Sequence, residues 1–310
     1  AGAGRLTPAG LPTAPPAAAL VLGAAALMLL AVADRGLGRI GSGALRTLGA
    51  TSAYASASVF TMDGRDLGRA LATAPRRAPR RTRSFRRVRR PWAAVAVADL
   101  VLLSRSPWQA GQLVVASAVP VLAIRTDGLD RLPAVGATGL LLGWVLAAVA
   151  AGHPGRQGQA SPALDRLLPL SPAHLVAARC VAPAAILTVV CGLGGLLVGQ
   201  GSGGVAAWTA MALATVPSWT AAALRGAYRP ELNWAGPVVA TPMGVVPAGV
   251  AATLVQGIDV GLVGSAPIVA AVLLGGPPSG PLVAGQLAWS GLLAVAALAH
   301  LASRRVAVAA

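Results

Sequence analysis

The stretch ASPALDRLLPLSPAHLVAAR, residues 160–179, separates two long apolar runs with a short polar segment that contains three prolines. It predicts an intracellular loop that connects one membrane span to the next. Ser171 has a side chain that can cap a helix, and Pro172 suits the first helical position, where no backbone donor is needed. We therefore expect a helix to begin at the end of this loop. Such a loop can contact a soluble partner while the adjoining spans hold it in place.

The composition of the whole chain predicts a membrane protein. Of its 310 residues, 55% are hydrophobic and only 11% are charged, against about 25% in an ordinary soluble domain. The mean hydropathy is +0.70. Apolar runs of roughly 20 residues recur, which is the length that crosses the hydrocarbon core as a helix. The runs are continuous and do not alternate, so the fold class predicted is an all-α polytopic membrane protein and not a barrel.

The basic residues are all arginine, and this restricts the chemistry that the chain can perform. The chain contains 25 Arg and no Lys. It therefore lacks the lysine of the phosphate-binding loop that many ATPases use. We expect no ATP hydrolysis by that route, and we predict no cofactor.

Positive charge is concentrated before residue 91. Residues 63–90 carry eleven Arg and two Asp, so the positive-inside rule places them in the cytoplasm. We predict contact with anionic lipid headgroups. Nucleic acid is not an expected partner, because Phe85 is the only aromatic residue interleaved with these charges. The arginines that carry this prediction are Arg76, Arg77, Arg80, Arg81, Arg83, Arg86, Arg87, Arg89 and Arg90.

Charge and hydropathy together divide the chain into three parts. Residues 1–62 are predicted to hold the last span of an N-terminal half, at residues 17–33, followed by an interfacial segment. Residues 63–91 form an Arg-rich cytoplasmic linker. Residues 92–310 are predicted to form a six-span half that opens with an interfacial elbow helix at residues 92–103, which is too short to cross the bilayer.

The predicted total is about seven transmembrane helices, with a re-entrant or broken pair near the end of the chain. Two apolar runs, 237–256 and 258–275, are interrupted by proline, and Arg304 and Arg305 would face outward if both runs crossed. One of the two is therefore expected to be re-entrant. Irregular backbone at this depth must be satisfied by protein or a cavity. The other spans of this half are predicted at 109–124, 133–152, 180–199, 204–224 and 282–302.

Three segments resemble a known family. LDRLLPLSPAHLVAAR at 164–179 resembles the loop between the second and third spans of type-two ABC exporter permeases. FRRVRRPWAAVAVADLVLLSRSP at 85–107 looks like the elbow helix that opens such a permease half. ELNWAGPVVATPMGVVPAGV at 231–250 is similar to a segment of an actinobacterial group of uncharacterised permease-like proteins. The resemblance covers roughly residues 60–310.

This resemblance implies a partner and a set of contact residues. In such permeases the membrane subunits form the path, and a separate ATP-binding subunit docks on the cytoplasmic loops. A second permease half or a second copy of the chain completes the path. His174 departs from the pattern, because these loops usually carry another Arg there. The expected ATPase contacts are Leu164, Asp165, Arg166, Leu167, Leu168, Leu170 and Ser171.

The remaining polar residues predict no catalytic or metal site. The three histidines lack metal-ligand spacing. Acids at membrane depth are costly and are often functional, which singles out Asp99 and Asp259, with Pro242 and Pro247, as candidate path-lining residues. Most of the nine acidic residues lie at predicted span boundaries. Trp144 and Trp219 lie within predicted spans and are expected to pack in the core.

The function expected is that of the membrane-spanning permease subunit of an ATP-driven exporter in the bacterial cytoplasmic membrane. ATP hydrolysis is assigned to the separate partner, so the chain itself is not expected to be an enzyme. Two alternatives stay open. One is a membrane scaffold or assembly subunit without a transport path, and the other is a secondary transporter.

Overall fold

The computed structural model describes residue 88 and residues 90–126, 132–160, 165, 167–229, 238–241, 244–247 and 255–309. The described chain is helical apart from one short hairpin. Its helices are α1 (Pro91–Ser104), α2 (Pro107–Arg125), α3 (Pro133–Ala151), α4 (His153–Ala160), α5 (Pro172–Ser202), α6 (Val205–Leu213), α7 (Val216–Ala227), α8 (Ile258–Gly264), α9 (Ala266–Leu274) and α10 (Gly280–Ala309). Two strands, β1 (Val238–Thr241) and β2 (Gly244–Pro247), pair antiparallel between α7 and α8.

Four of these helices, α2, α3, α5 and α10, are long and apolar enough to cross a membrane. They indicate a membrane-embedded helical protein, in agreement with the predicted fold class. The predicted count of seven spans is not confirmed within the described residues. The candidate span at 17–33 lies outside them. The segment predicted as an elbow helix forms α1, which is apolar and only 14 residues long; its place at the membrane interface stays a prediction.

The predicted helix start at Ser171 is confirmed, and the helix that follows is longer than expected. Ser171 Oγ accepts a hydrogen bond from the backbone N–H of His174 at 3.3 Å, and Pro172 occupies the first position of α5. The helix runs for 31 residues, or about 46 Å, whereas the sequence predicted a span at 180–199 only. Because the hydrocarbon core of a bilayer is about 30 Å thick, α5 is longer than one crossing requires, and it joins the loop segment to the predicted span as one helix.

The run 204–224, which was predicted as one span, divides into α6 and α7 between Leu213 and Val216, so a single continuous helix is not confirmed there. Pro217 explains the break, since it cannot donate to the carbonyl of Leu213. Pro267 stands at the same position of α9, which is separated from α8 by Ser265. The broken helix that was expected within 258–275 is therefore present.

The companion run 237–256 forms strands and not a helix at Val238–Thr241 and Gly244–Pro247. Val239 pairs with Val246 and Ala240 with Val245 in the β1–β2 hairpin. Valines in both strands favour extended backbone, and this local preference prevails over the apolar character that suggested a span or a re-entrant helix.

One face of α10 supplies the polar groups that both helix breaks require. Gln286 Oε1 accepts the backbone N–H of Ile268 in α9 at 3.1 Å, and its Nε2 donates to the carbonyl of Gly264 at 2.6 Å. One turn further on, Ser290 Oγ accepts the backbone N–H of Ser218 in α7 at 3.0 Å. Both side chains are fully buried. The ends of the broken helices are thus satisfied by protein, as membrane depth requires.

The core lies where α3, α5, α6 and α7 meet. Trp144 and Trp219 pack edge to face, with ring centroids 6.2 Å apart, which confirms the packing role predicted for them. Trp219 Nε1 also donates to Ser265 Oγ at 2.8 Å, so the core is tied to the break between α8 and α9.

Small residues let the helices approach closely. Gly195 and Gly199 form a G-x-x-x-G pair that faces α6, and a Cβ at Gly195 would lie 2.7 Å from the carbonyl oxygen of Trp208. An equivalent contact joins α3 to α2, where a Cβ at Gly143 would lie 2.6 Å from the carbonyl oxygen of Ala116. Larger side chains at these positions would force the helix pairs apart.

The first prediction concerns the caps on the broken helices. We expect Gln286→Leu to lower the free energy of unfolding by about 1–3 kcal/mol, because it leaves the N–H of Ile268 and the carbonyl of Gly264 buried without partners. Thermal unfolding in detergent measures the effect. Gln112→Leu makes the same change at a half-buried position of α2 and should leave Tm nearly unchanged. Equal Tm values for the two variants would contradict the capping role.

Candidate functional site

A buried guanidinium group joins the predicted docking loop to the helical bundle. Arg179, two turns into α5, places Nη2 2.6 Å from Asp165 Oδ1 and Nη1 3.4 Å from Asp99 Oδ1. Nη1 also donates to the carbonyl oxygen of Pro154 at 3.2 Å. These three partners come from the loop, from α1 and from α4. We call Arg179, Asp99 and Asp165 the arginine cluster.

The backbone is shaped to admit the arginine. A Cβ at Gly158 in α4 would lie 2.6 Å from Arg179 Cζ, so only glycine leaves room for the guanidinium group at that point. The three side chains of the cluster are each about nine-tenths buried. A buried charge is tolerated when it is paired and hydrogen-bonded. Both conditions hold for Nη1 and Nη2 of Arg179, whereas its Nε is buried without a hydrogen-bond partner among the described groups.

The carboxyl group of Asp99 has a raised pKa. Burial raises the pKa of Asp99 to about 6, the charge of Arg179 opposes this rise, and the charge of Asp165 adds to it. The 3.4 Å separation from Arg179 is long for a charge-assisted hydrogen bond, so the attraction does not outweigh desolvation. Asp99 Oδ2 is buried and has no hydrogen-bond partner among the described groups.

The segment 167–171 divides into an inward and an outward side. Leu168 and Leu170 pack against a small apolar cluster formed by Val95 of α1 with Leu175 and Ala178 of α5. Leu167 points away and is 80% exposed. Together with the arginine cluster, this packing fixes the backbone of the segment and presents one leucine to its surroundings.

The predicted site residues that the structure describes do not form one site but lie at several different elements. Asp99 and Asp165 meet at Arg179, while Asp259 lies in the first turn of α8, where its Oδ2 is 3.4 Å from Arg225. Arg90 is exposed directly before α1, and Pro247 ends β2. The predicted residues outside the described part are Leu164, Arg166, Pro242, Arg76, Arg77, Arg80, Arg81, Arg83, Arg86, Arg87 and Arg89.

The central role of Arg179 was missed from the sequence, where it was only the last residue of the predicted loop. A signal was present, because Asp99 lies within an apolar helix and a buried carboxylate needs a cation. Within the described parts of the chain, no group of three or more His, Cys, Asp or Glu side chains is arranged to hold a metal ion.

The second prediction follows from Asp99. Its pKa rises from the ordinary value of 3.8 to about 6 on folding, so the folded chain holds this proton more tightly than the unfolded chain. The stability that Asp99 contributes is therefore complete below pH 3.8 and is lost as the pH rises through about 6. We expect the Tm of the wild type to fall relative to that of Asp99→Asn as the pH rises from 3.8 to about 6. Gln112→Leu, which removes no titratable group, should retain the wild-type slope, and an unchanged difference for Asp99→Asn would contradict the assignment.

Comparison with known proteins gives a family and no assigned activity. No curated protein and no solved structure matches the chain. Residues 2–237 match the profile of DUF6297, described as a family of unknown function. Because this match spans most of the chain, the protein belongs to the family DUF6297.

Proposed function

We propose that this chain is a permease-type membrane subunit of an ATP-driven exporter in the bacterial cytoplasmic membrane. In this proposal the chain crosses the membrane several times, and a second permease half or a second copy of the chain completes the path. A separate ATP-binding subunit docks on residues 160–179. The four long apolar helices and the resemblance of the loop to exporter permeases support the proposal.

The observation that carries the proposal is the exposure of Leu167 on an anchored segment. An apolar side chain that is 80% exposed gives a soluble partner a contact that buries apolar area. The neighbouring Asp165 is bound by Arg179, and Leu168 and Leu170 pack against the apolar cluster of α1 and α5. The segment therefore cannot move independently of these helices when the partner moves. A docking surface needs both properties, an accessible contact and a rigid attachment.

The attachment leads directly into the membrane. Arg179 binds Asp165 from within α5, and the 31 residues of α5 form one continuous helix. A displacement of the docked segment is therefore transmitted to α5 and, through Asp99, to α1. In the proposed mechanism, ATP-driven movement of the partner shifts these two helices and alters the path between permease halves. The arginine cluster then transmits force and need not contact substrate.

The third prediction tests docking at Leu167. We expect Leu167→Asp to abolish co-purification with an ATP-binding subunit and to leave Tm within about 1 °C of the wild type, since an exposed substitution changes stability little. Affinity purification from membranes, followed by mass spectrometry and an ATPase assay, measures the association. Wild-type chain purified alone should show no ATPase activity.

Leu274→Asp is the matched control. Leu274 is 84% exposed and ends α9, before the turn in which Pro277 lies near Gly204, away from the docking segment. It should retain the ATPase. Leu168 and Leu170 are unsuitable for this test, because both pack inward and their replacement would unfold the segment. Retention of the ATPase by Leu167→Asp would count against the proposal, and recovery of other membrane proteins without an ATPase would favour the scaffold role.

A secondary transporter is the second candidate, and Asp99 is the observation that favours it. A buried carboxyl group whose pKa is about 6 can exchange a proton near neutral pH. Uptake into proteoliposomes driven by a pH gradient, without ATP, distinguishes this candidate from the exporter. Loss of such uptake in Asp99→Asn would identify the carboxyl group of Asp99 as the one that exchanges the proton.

A further inference from the structure

A cavity of about 460 Å³ lies at the same end of the bundle as the arginine cluster. Its wall is formed by the end of α3, the start of α4, the last turns of α7 and the start of α8. Arg156 and Arg229 reach the cavity, and Ala148, Val149, Trp219 and Ile258 contribute apolar surface. Cavities that hold small organic ligands have volumes of about 300–1,000 Å³, so the space suffices for more than a single ion.

The positive charge around this cavity exceeds the negative charge that the described residues supply. Arg156, Arg225 and Arg229 cluster here, and Asp259 is the described carboxylate that faces them. Asp259 is already paired with Arg225 at 3.4 Å. Asp99 and Asp165, the other acids of this end in the described part, are bound to Arg179.

Arg156 has no ion-pair partner among the described residues. Burial lowers the pKa of Arg156, and the positive charge of Arg229 lowers it further. Both arginines line the same cavity. Arg229 is partly engaged, because its Nε donates to the carbonyl oxygen of Gln256 at 2.9 Å. Two neighbouring cations in a largely apolar cavity are stabilised when an anion enters between them.

Close helix contacts hold the two arginines in place. A Cβ at Gly152 would lie 2.7 Å from the carbonyl oxygen of Ala223, and one at Gly155 would lie 2.8 Å from Ala227 Cβ. The start of α4 therefore rests directly on α7. The backbone carbonyl of Arg229 accepts a hydrogen bond from Gln159 Nε2 at 2.6 Å. Arg156 and Arg229 thus project from elements that are fixed to one another, as a built binding site requires.

We propose that this cavity binds a phosphate group through Arg156 and Arg229, with an apolar portion of the same ligand against the alanine-rich wall of α3 and α7. Guanidinium groups match phosphate oxygens in geometry as well as in charge. Val149, on the cavity wall, is 38% exposed on the apolar surface of α3, which gives an aliphatic chain access from the side. A phospholipid headgroup and a free phosphate share this chemistry. The inference stands independently of the exporter role.

The test measures binding to the full chain in detergent, with one arm for each source of phosphate. Phosphatidylglycerol is titrated in the first arm and inorganic phosphate in the second, with native mass spectrometry and thermal shift as readouts. We expect Arg156→Gln and Arg229→Gln each to weaken binding roughly ten- to hundredfold, since each removes a charge-assisted contact. Arg304→Gln removes an exposed charge at the end of α10 and should leave the affinity unchanged.

Gly226→Leu is a second variant, which retains every charged side chain and fills part of the cavity. Gly226 lies on the cavity wall, and a Cβ there would meet its nearest neighbours at 3.6 Å and 3.7 Å, which is ordinary contact. We expect Gly226→Leu to fold and to lose binding at least tenfold. Binding in the first arm alone assigns a lipid headgroup, and binding in the second arm assigns free phosphate. Absence of binding in both arms, or equal affinity in Arg156→Gln, Arg229→Gln and Arg304→Gln, would overturn the proposal.

Discussion

The ion pairs of Arg179 are the constraint on which the rest of the arrangement depends. A guanidinium group removed from water must find partners, and here they come from three separate elements, α1, α4 and the loop before α5. Removal of one partner of a buried pair costs about 3–5 kcal/mol, because the charge that is left behind has no solvent. These three contacts together fix the position of the loop relative to α1 and α4.

The apolar part of the bundle obeys a related rule. Proline interrupts two of its helices, and each interruption exposes backbone groups that lipid cannot satisfy. Gln286 and Ser290 provide the missing partners from one face of α10. These two polar side chains are thus committed to the backbone of the broken helices. The cavity beside Arg156 is different, because its guanidinium groups face open space.

Local features of the chain could be predicted from its sequence, and contacts between distant segments could not. Ser171 and Pro172 marked the start of α5 because capping depends on neighbouring residues. Pro217 carried the same kind of signal for the break before α7, although the run 204–224 was interpreted as one span. The meeting of Asp99 with Arg179, 80 residues apart, depends on how helices pack and leaves no mark in hydropathy. The hairpin at 238–247 was hidden because apolar valines suit a span as well as a strand.

The double contact of α10 has a mechanical consequence. Gln286 and Ser290 stand one turn apart and bind the starts of α9 and α7, while Gln286 also binds the end of α8. Three short helices thus take their positions from one long helix. A change that displaces α10 therefore disturbs the contacts of α7, α8 and α9 at the same time.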